Sequence, residues 1–522
     1  MSNQPPPFVP EPIDTVWSAR QRILINLFSA LFNKGFNFLA MGIFLPRSLG
    51  VVQYGLLMSL WRMAEATRGF LILGVDQAFF VEAARRIRSG VANRLFVIVL
   101  AGQFLVLISL ALVAGGLDLE TRWLHGQSAT VYGLVILTEW LMAASSLATR
   151  FGDAKARIGS GHAILLVVGG LRAVLLAGFF LEGRLTIVVY LGVTAATSLV
   201  ITLASLIALR RISPACFQVD PDHQPWAVAR YFFDTARSFA VISSLGFVNN
   251  MILSWYLTEA SGPEQQAYYN LAFQLLNVIS LLTGSMINVF QREISWSLAH
   301  NDRDRVFTLF SRSCRLSMVL AALVAHVTAF NADLIIHFMV GPSFAAGAPV
   351  LACLIFSGIF MGPVDLATSM YLVFGKISAY RNRYTLSLIL CIVMYLIFVN
   401  PRDAWLPGLH MGAMGIALAM VISSVLVMYI QLGYFMHEHP SLRGEIRVTL
   451  LVTTLGFGML HGLASLTAVF VFAGGVWWRI LASVIFLLLC GTMLWYWPGL
   501  AGFSRSDRKY LRQKPTPDKA QP

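Results

Sequence analysis

VVQYGLLMSLWRMAEATRGFLI, residues Val51 to Ile72, is long enough to cross a membrane yet carries Arg62, Glu65 and Arg68. A bilayer core asks for a helix of roughly 20 mostly apolar residues, and each charge placed in it costs kilocalories. Hydropathy alone therefore argues against this stretch as a span. Topology argues for it, because removing it puts every later loop on the other side of the membrane. The fold turns on which reading leaves an orderly distribution of charge.

The rest of the chain is plainly of membrane type. Its 522 residues are 57% hydrophobic and 12% charged, with a mean hydropathy of +0.71, values that soluble domains seldom approach. With the Val51 stretch and an equally polar one from Tyr268 included, fourteen candidate spans begin near Arg22, Val51, Leu95, Ala129, Gly161, Thr186, Phe239, Tyr268, Leu316, Gly347, Thr385, Met411, Val448 and Ile480. On that count one side of the membrane holds 29 of the 38 basic residues, the opposite side holds 5 (Arg47, Arg122, Arg184, Arg402, Arg479), and 4 stay within the spans. The positive-inside rule makes the rich side, and both termini, cytoplasmic. Dropping any single span destroys the bias.

The net charge of +13 is thus explained by topology and does not call for a nucleic-acid partner. Residues 1–14 are proline-rich and lack the apolar core of a signal peptide, so the first span is expected to be retained. Cys216, Cys314, Cys353, Cys391 and Cys490 show neither paired nor metal-ligand spacing, so no disulfide, metal site or cofactor is expected.

The predicted fold is all-α and polytopic, with two pseudo-symmetric six-helix lobes and two additional C-terminal helices. The boundaries are a cytoplasmic tail 1–21, an N-lobe 22–209, a cytoplasmic linker 210–238, a C-lobe 239–435, two helices in 436–497 and a basic tail 498–522. No loop has room for an extramembrane catalytic domain. An internal repeat supports the division: Tyr54-Gly55-Leu56-Leu57 and Tyr269-Asn270-Leu271-Ala272 each follow a glycine turn, at an offset of 215 that aligns Lys34 with Asn249 and Arg62 with Asn277.

Leu49-Gly50-Val51-Val52-Gln53-Tyr54-Gly55 has the pattern Leu-Gly-x-x-x-Tyr-Gly, and Leu73-Gly74-Val75-Asp76 leads on to Ala83-Ala84-Arg85. Further along stand Val340-Gly341-Pro342-Ser343-Phe344-Ala345-Ala346-Gly347-Ala348-Pro349-Val350-Leu351 and Phe374-Gly375-Lys376. These stretches resemble the polysaccharide exporters and lipid-linked oligosaccharide flippases, O-antigen flippases included, of the multidrug/oligosaccharidyl-lipid/polysaccharide (MOP) superfamily. The resemblance runs from about Arg22 to Tyr434. It implies two helix bundles facing each other across a V-shaped cavity, alternating access by rocking of the lobes, and location in a bacterial inner membrane. It implies an undecaprenyl-diphosphate-linked oligosaccharide repeat unit as cargo, moved from the cytoplasmic to the periplasmic leaflet, with a polysaccharide polymerase or export machinery as partner.

The buried charges fit such a cargo. Asn33, Lys34 and Asn37 share one face of the first span, and Arg62, Glu65 and Arg68 span about 120° of the second. Arginine offers a diphosphate a forked set of donors and lysine a point charge. Arg172, about 11 residues into its span and without an acidic neighbour there, is a third cationic candidate. Asn249, Asn250, Gln274 and Asn277 suit sugar hydroxyls, and Trp255, Phe36 and Phe38 are candidates for stacking on sugars. Glu65, Glu139 and Asp365 are candidates for coupling to a proton or sodium gradient, and His326 and His461 can also titrate. Each has a structural alternative: Arg62, Glu65 and Arg68 as an ion-pair clamp, the amides as interhelical hydrogen bonds.

Other functions remain in view. A peptidoglycan lipid-precursor flippase shares the layout and the cationic cavity, whereas a drug/cation antiporter calls for an acidic one. A membrane glycosyltransferase or polymerase needs a substantial periplasmic catalytic loop, which is absent here. The expectation is a transporter without catalytic residues, with a phosphate-holding N-lobe and a sugar-holding C-lobe.

Overall fold

The computed structural model describes residues 28, 31–85, 88–116, 124–154, 158–212, 214–219, 224–299, 302–471 and 476–502. The expected tail 1–21, the start of the first span, Arg122 and the basic residues from 505 onward lie outside these. Every regular element in the described residues is helical, and twelve helical stretches are long and apolar enough to cross a membrane.

The first of the twelve, Leu31–Ile72, is 42 residues long and is two arms joined at a break. Gly50 stands at φ 71° and ψ 175°, a conformation essentially reserved for glycine. It separates α1 (31–49) from α2 (51–72), and Val51 to Ile72 is helical throughout. The helices that follow are α3 (Val75–Arg85), α4 (Gly90–Gly116), α5 (Ala129–Ala154), α6 (Ile158–Leu181), α7 (Ile187–Ile212) and α8 (Pro225–Met251). Then come α9 (Pro263–Ala299), α10 (Arg303–Phe330), α11 (Ala332–Val340), α12 (Ala348–Leu354), α13 (Gly358–Val373) and α14 (Ile377–Val399). The last four are α15 (Gly412–Glu438), α16 (Pro440–Leu451), α17 (Phe457–Val471) and α18 (Val476–Tyr496). At 37 residues α9 is also long enough to span a membrane.

The internal repeat is visible in the backbone, and its register differs from the one the tyrosines suggest. A five-residue π turn, Ala40–Phe44, precedes the Gly50 break. A second π turn, Ile252–Tyr256, and a last turn, Leu257–Ser261, precede Gly262 at φ 91° and ψ 162°. The glycines set an offset of 212 rather than 215. Asn37 then corresponds to Asn249, Arg62 to Gln274 and Glu65 to Asn277, while Lys34 meets Gly246. The tyrosines mislead because Tyr269 stands seven residues beyond Gly262, whereas Tyr54 stands four beyond Gly50.

The chain forms two compact units. The first comprises Met1–Asn270, Met339–Ser343 and Tyr395–Ala413. Within lipid, helices gain little from hydrophobic transfer and are held by close packing and polar contacts. Gly55 shows how close: a Cβ there would lie 1.9 Å from the carbonyl oxygen of Pro263 at the start of α9. Leu73 and Gly74, both left-handed, turn the chain out of α2 into α3. There Ile72, Val75, Phe79, Phe96, Phe151 and Phe232 form a buried core, with Phe79 stacked on Phe96 at 4.3 Å.

The second unit comprises Leu271–Phe338, Phe344–Met394 and Met414–Pro522. Arg315 of α10 pairs with Glu445 of α16 at 3.3 Å and donates to the Gly499 carbonyl at 2.7 Å, while Ser311 donates to the same Glu445 carboxylate. Elsewhere in the unit Arg479 is bonded to Asp333, and Asn331 donates to Ser483 at 2.9 Å. By polar contacts α16 is thereby tied to α10, and α18 to α11 and the turn between α10 and α11, where apolar packing alone would leave their rotation loosely set.

Candidate functional site

Of the four cations that the sequence places within spans, Lys34, Arg62 and Arg68 are on α1 and α2, and Arg62 and Arg68 each have their own setting in the first unit. A cavity of about 290 Å³ opens between α2 and α8, lined by Arg62, Glu65, Arg68 and Phe70 on one side and by Phe247 and Asn250 on the other. Phe70 and Phe247 close one edge with ring centroids 5.4 Å apart. Arg62 lies 3.5 Å from Glu65 and donates through Nε to Asn270 Oδ1 at 3.2 Å. Asn270, fully buried, is itself oriented by donating Nδ2 to the Gln266 carbonyl at 2.9 Å.

Arg68 turns to a different acid. Its Nε donates to Glu139 Oε1 at 2.9 Å, and Glu139 on α5 is 6% exposed. Glu139, isolated in the sequence, is thus the partner of Arg68 in space, and Glu65 serves Arg62. The four charges balance. An empty cavity of this kind is stable, and an entering anion must compete with two carboxylates for the same guanidinium donors.

A second cationic group sits on α1 and α6. Arg172, 5% exposed, donates Nη2 to Asn37 Oδ1 at 2.6 Å. The Asn33 amide oxygen lies against Gly169, and the Phe36 ring against Gly170. These glycines let α1 approach α6 at the level of Arg172. Lys34 is exposed on α1. Tyr190 of α7, 2% exposed, is within electrostatic reach of both Arg172 and Glu139 and packs on Trp61 at 6.2 Å. With Lys34 and Arg172 added to the Arg62, Glu65, Arg68 and Glu139 set, these polar groups carry a net positive charge.

The other candidates are more dispersed. Asn250 lines the cavity, and the neighbouring Asn249 has its Oδ1 buried without a hydrogen-bond partner. Gln274 and Asn277 are half-buried further along α9, in the second unit. Asp365 lies on α13 two residues after Pro363, within electrostatic reach of Tyr380 and Tyr384 on α14. Trp255 stands beside the His125 ring at 6.4 Å, and His125 lies 3.5 Å from Glu259. Among the described residues no group of three or more His, Cys, Asp or Glu side chains is placed to hold a metal ion.

Sequence reasoning missed Gln266, Asn270 and Tyr190. The first two carry a signal, a polar pair four residues apart at the start of a membrane helix. Tyr190 carries none, since one tyrosine in an apolar span reads as an ordinary interfacial residue.

No family model matches the chain, and no curated protein matches it in sequence. Solved structures do match in fold. The lipid II flippase MurJ in an inward closed conformation superimposes with a TM-score of 0.64 at 14% identity, covering 92% of this chain and 99% of that one. An inward-facing multidrug resistance MATE family transporter of the MOP superfamily gives 0.58 at 12% identity, over 81% of this chain and 99% of the other. A MOP superfamily transporter from Pyrococcus furiosus, described by a reverse polarity of its binding pocket, gives 0.56 at 12% identity, over 81% and 96%. The chain is a multi-pass, all-α membrane protein with the fold of the MOP-superfamily exporters.

Proposed function

We propose that the protein is a transporter that moves a lipid-linked saccharide diphosphate from the cytoplasmic to the outer leaflet of a bacterial inner membrane by alternating access. One observation carries the reading: the cavity lined by Arg62 and Arg68, each paired with a carboxylate. A diphosphate entering from the lipid phase exchanges those carboxylates for its own oxygens. Protonation of Glu65 or Glu139 favours the exchange by removing the competitor, which makes the pair natural coupling groups; Asp365 is the candidate in the second unit. Fourteen passes, with both termini cytoplasmic, follow when α1 and α2 are taken as separate passes and α9 is included.

Two cargoes fit this chemistry. The peptidoglycan lipid precursor is favoured by the likeness to a lipid II flippase across 92% of the chain, against 81% for the drug transporters. The oligosaccharide repeat unit expected from the sequence rests on the resemblance at Leu49 to Gly55 and remains the second reading. A cationic drug is disfavoured, since the track from Lys34 to Arg172 carries more basic than acidic groups.

The test uses purified protein in proteoliposomes loaded with polyprenyl-diphosphate saccharides, one with a precursor-type disaccharide pentapeptide and one with a longer oligosaccharide. An impermeant sugar-directed probe follows exposure on the far leaflet. Arg62→Ala, Arg68→Ala and Arg172→Ala are expected to slow flipping at least about tenfold. Wild-type rates in all three would end the cavity proposal, and the ratio between the two lipids decides the cargo. Glycosyl transfer by the same preparation would replace a transporter with an enzyme.

A further inference from the structure

The segment between α14 and α15, residues 400–411, joins two membrane-spanning helices and is tightly folded. The last carbonyls of a helix have no partner within it. Here the returning chain supplies one. The N–H of Leu409 donates to Ile397, that of Met411 to Phe398 and that of His410 to Asn400, at 2.8 to 3.0 Å. Gly408 donates to the Pro401 carbonyl at 3.2 Å, and a Cβ on Gly408 would lie 2.6 Å from the Asn400 carbonyl oxygen. The loop closes only with a glycine there.

Asn400, buried, braces the loop through its side chain. Its Nδ2 donates to the Leu406 carbonyl at 2.8 Å, and its Oδ1 accepts from the Tyr256 hydroxyl at 2.8 Å. Just past the loop, the Ala413 N–H donates to Gln265 Oε1 at 3.0 Å. Tyr256 belongs to the π turn before Gly262, and Gln265 to the first turn of α9 after it. The loop is therefore bonded on both sides of the Gly262 break.

A segment with this many internal bonds nevertheless leaves its largest apolar side chain outside. Trp405 is 99% exposed, and Leu406, Leu409 and Met411 are exposed as well. Trp405 stands six residues after Val399 and seven before Gly412. Even fully extended, six residues reach only about 20 Å, and the hydrogen bonds fold them back toward the span ends. An indole is an apolar ring with one N–H at its edge, and such rings settle at the headgroup level of a bilayer. Arg402 and Asp403, both exposed, offer opposite charges to the phosphate and the amine of a zwitterionic headgroup.

We infer that the 400–411 loop is a membrane-interface anchor, with Trp405 as the ring seated among the lipid headgroups beside α14 and α15. Because the loop is already ordered, docking it immobilises little further chain. Through Tyr256 and Gln265 the anchor is fastened to the Gly262 break. The inference depends neither on the cargo nor on which side of the membrane the loop faces.

Full-length protein in phosphatidylcholine nanodiscs containing a lipid with a photoactivatable headgroup tests this. Irradiation is expected to attach lipid within residues 401–409, located by mass spectrometry. Trp405→Asp is expected to reduce that adduct severalfold and to leave the adducts on α14 and α15 unchanged, which shows that the variant is folded. A loop without lipid adduct, in which hydroxyl radicals oxidise Trp405 as fast as a free tryptophan peptide, puts the ring in water and overturns the proposal. So does an adduct that Trp405→Asp leaves undiminished. No transport is measured, so failure here is distinct from failure of the flipping assay.

Discussion

At the scale of the residue, the interaction that decides most is Arg68 with Glu139. Glu139 is nearly fully buried and Arg68 is its bonded partner at 2.9 Å. Removing one member of a buried pair strands the other, at a cost of about 3 to 5 kcal/mol, whereas removing both together costs much less. Arg68→Ala is therefore expected to lower thermal stability sharply, and Arg68→Ala with Glu139→Gln to recover most of it. In the flipping assay the double variant is expected to stay as slow as Arg68→Ala, since stability is restored and the anion donor is not. A double variant that flips at the wild-type rate makes the pair a clamp and nothing more. Asn37→Leu removes the acceptor of Arg172 and is expected to cost about 1.5 to 3 kcal/mol, the range for a hydrogen bond to a charged group. The sequence displayed every charge in this track but not the pairing. Glu139 is 71 residues from Arg68, and which face α5 presents is set by packing that local periodicity does not encode.

At the scale of the element, the two glycines of the first helical pair separate two kinds of constraint. Gly50 needs its backbone angles and has open space around it, so Gly50→Ala is expected to cost about 1 to 3 kcal/mol through strain alone. Gly55 has ordinary helical angles and no space, so Gly55→Leu drives a side chain into the Pro263 carbonyl and forces α2 away from α9. Differential scanning of the two variants is expected to show a modest shift for the first and loss of a cooperative transition for the second. Asp333 gives a pH test outside the spans. Its hydrogen bond from Arg479 holds the carboxyl below the usual carboxylate range, and burial opposes the effect only in part. A lowered folded pKa means the stabilisation is complete above the unfolded value of about 3.9 and is lost as pH falls through the folded one. Asp333 is more than half exposed, so solvent screening limits the term to about 0.5 kcal/mol. Asp333→Asn is expected to lower the midpoint slightly at neutral pH and to converge with wild type in strong acid. The break at Gly50 was legible because a glycine sat between two candidate spans. The repeat register was not, because a pair of tyrosines beyond Gly262 imitated the Tyr-Gly motif one turn out of place.

At the scale of the whole molecule, loop charge was the most legible property, since each span crossed reverses the side and errors accumulate visibly. The prediction is a pattern of reactivity. Cysteines at Arg88 and Arg303 are expected to label only from the cytoplasmic side, and cysteines at Arg184 and Arg402 only from the outside; all four positions are exposed. If α2 does not cross, Arg88 and Arg184 exchange sides; if α9 does not cross, Arg303 and Arg402 change sides relative to the first pair. The doubled arm has a consequence for ancestry. Both copies keep the π turn, the five residues after it and the left-handed glycine, while Arg62 and Glu65 of one copy are matched by the neutral amides Gln274 and Asn277 of the other. Shape is then the inherited trait and polarity the acquired one. A lineage can exchange one cargo for another by a few codon changes on a scaffold whose bend was settled before the halves diverged.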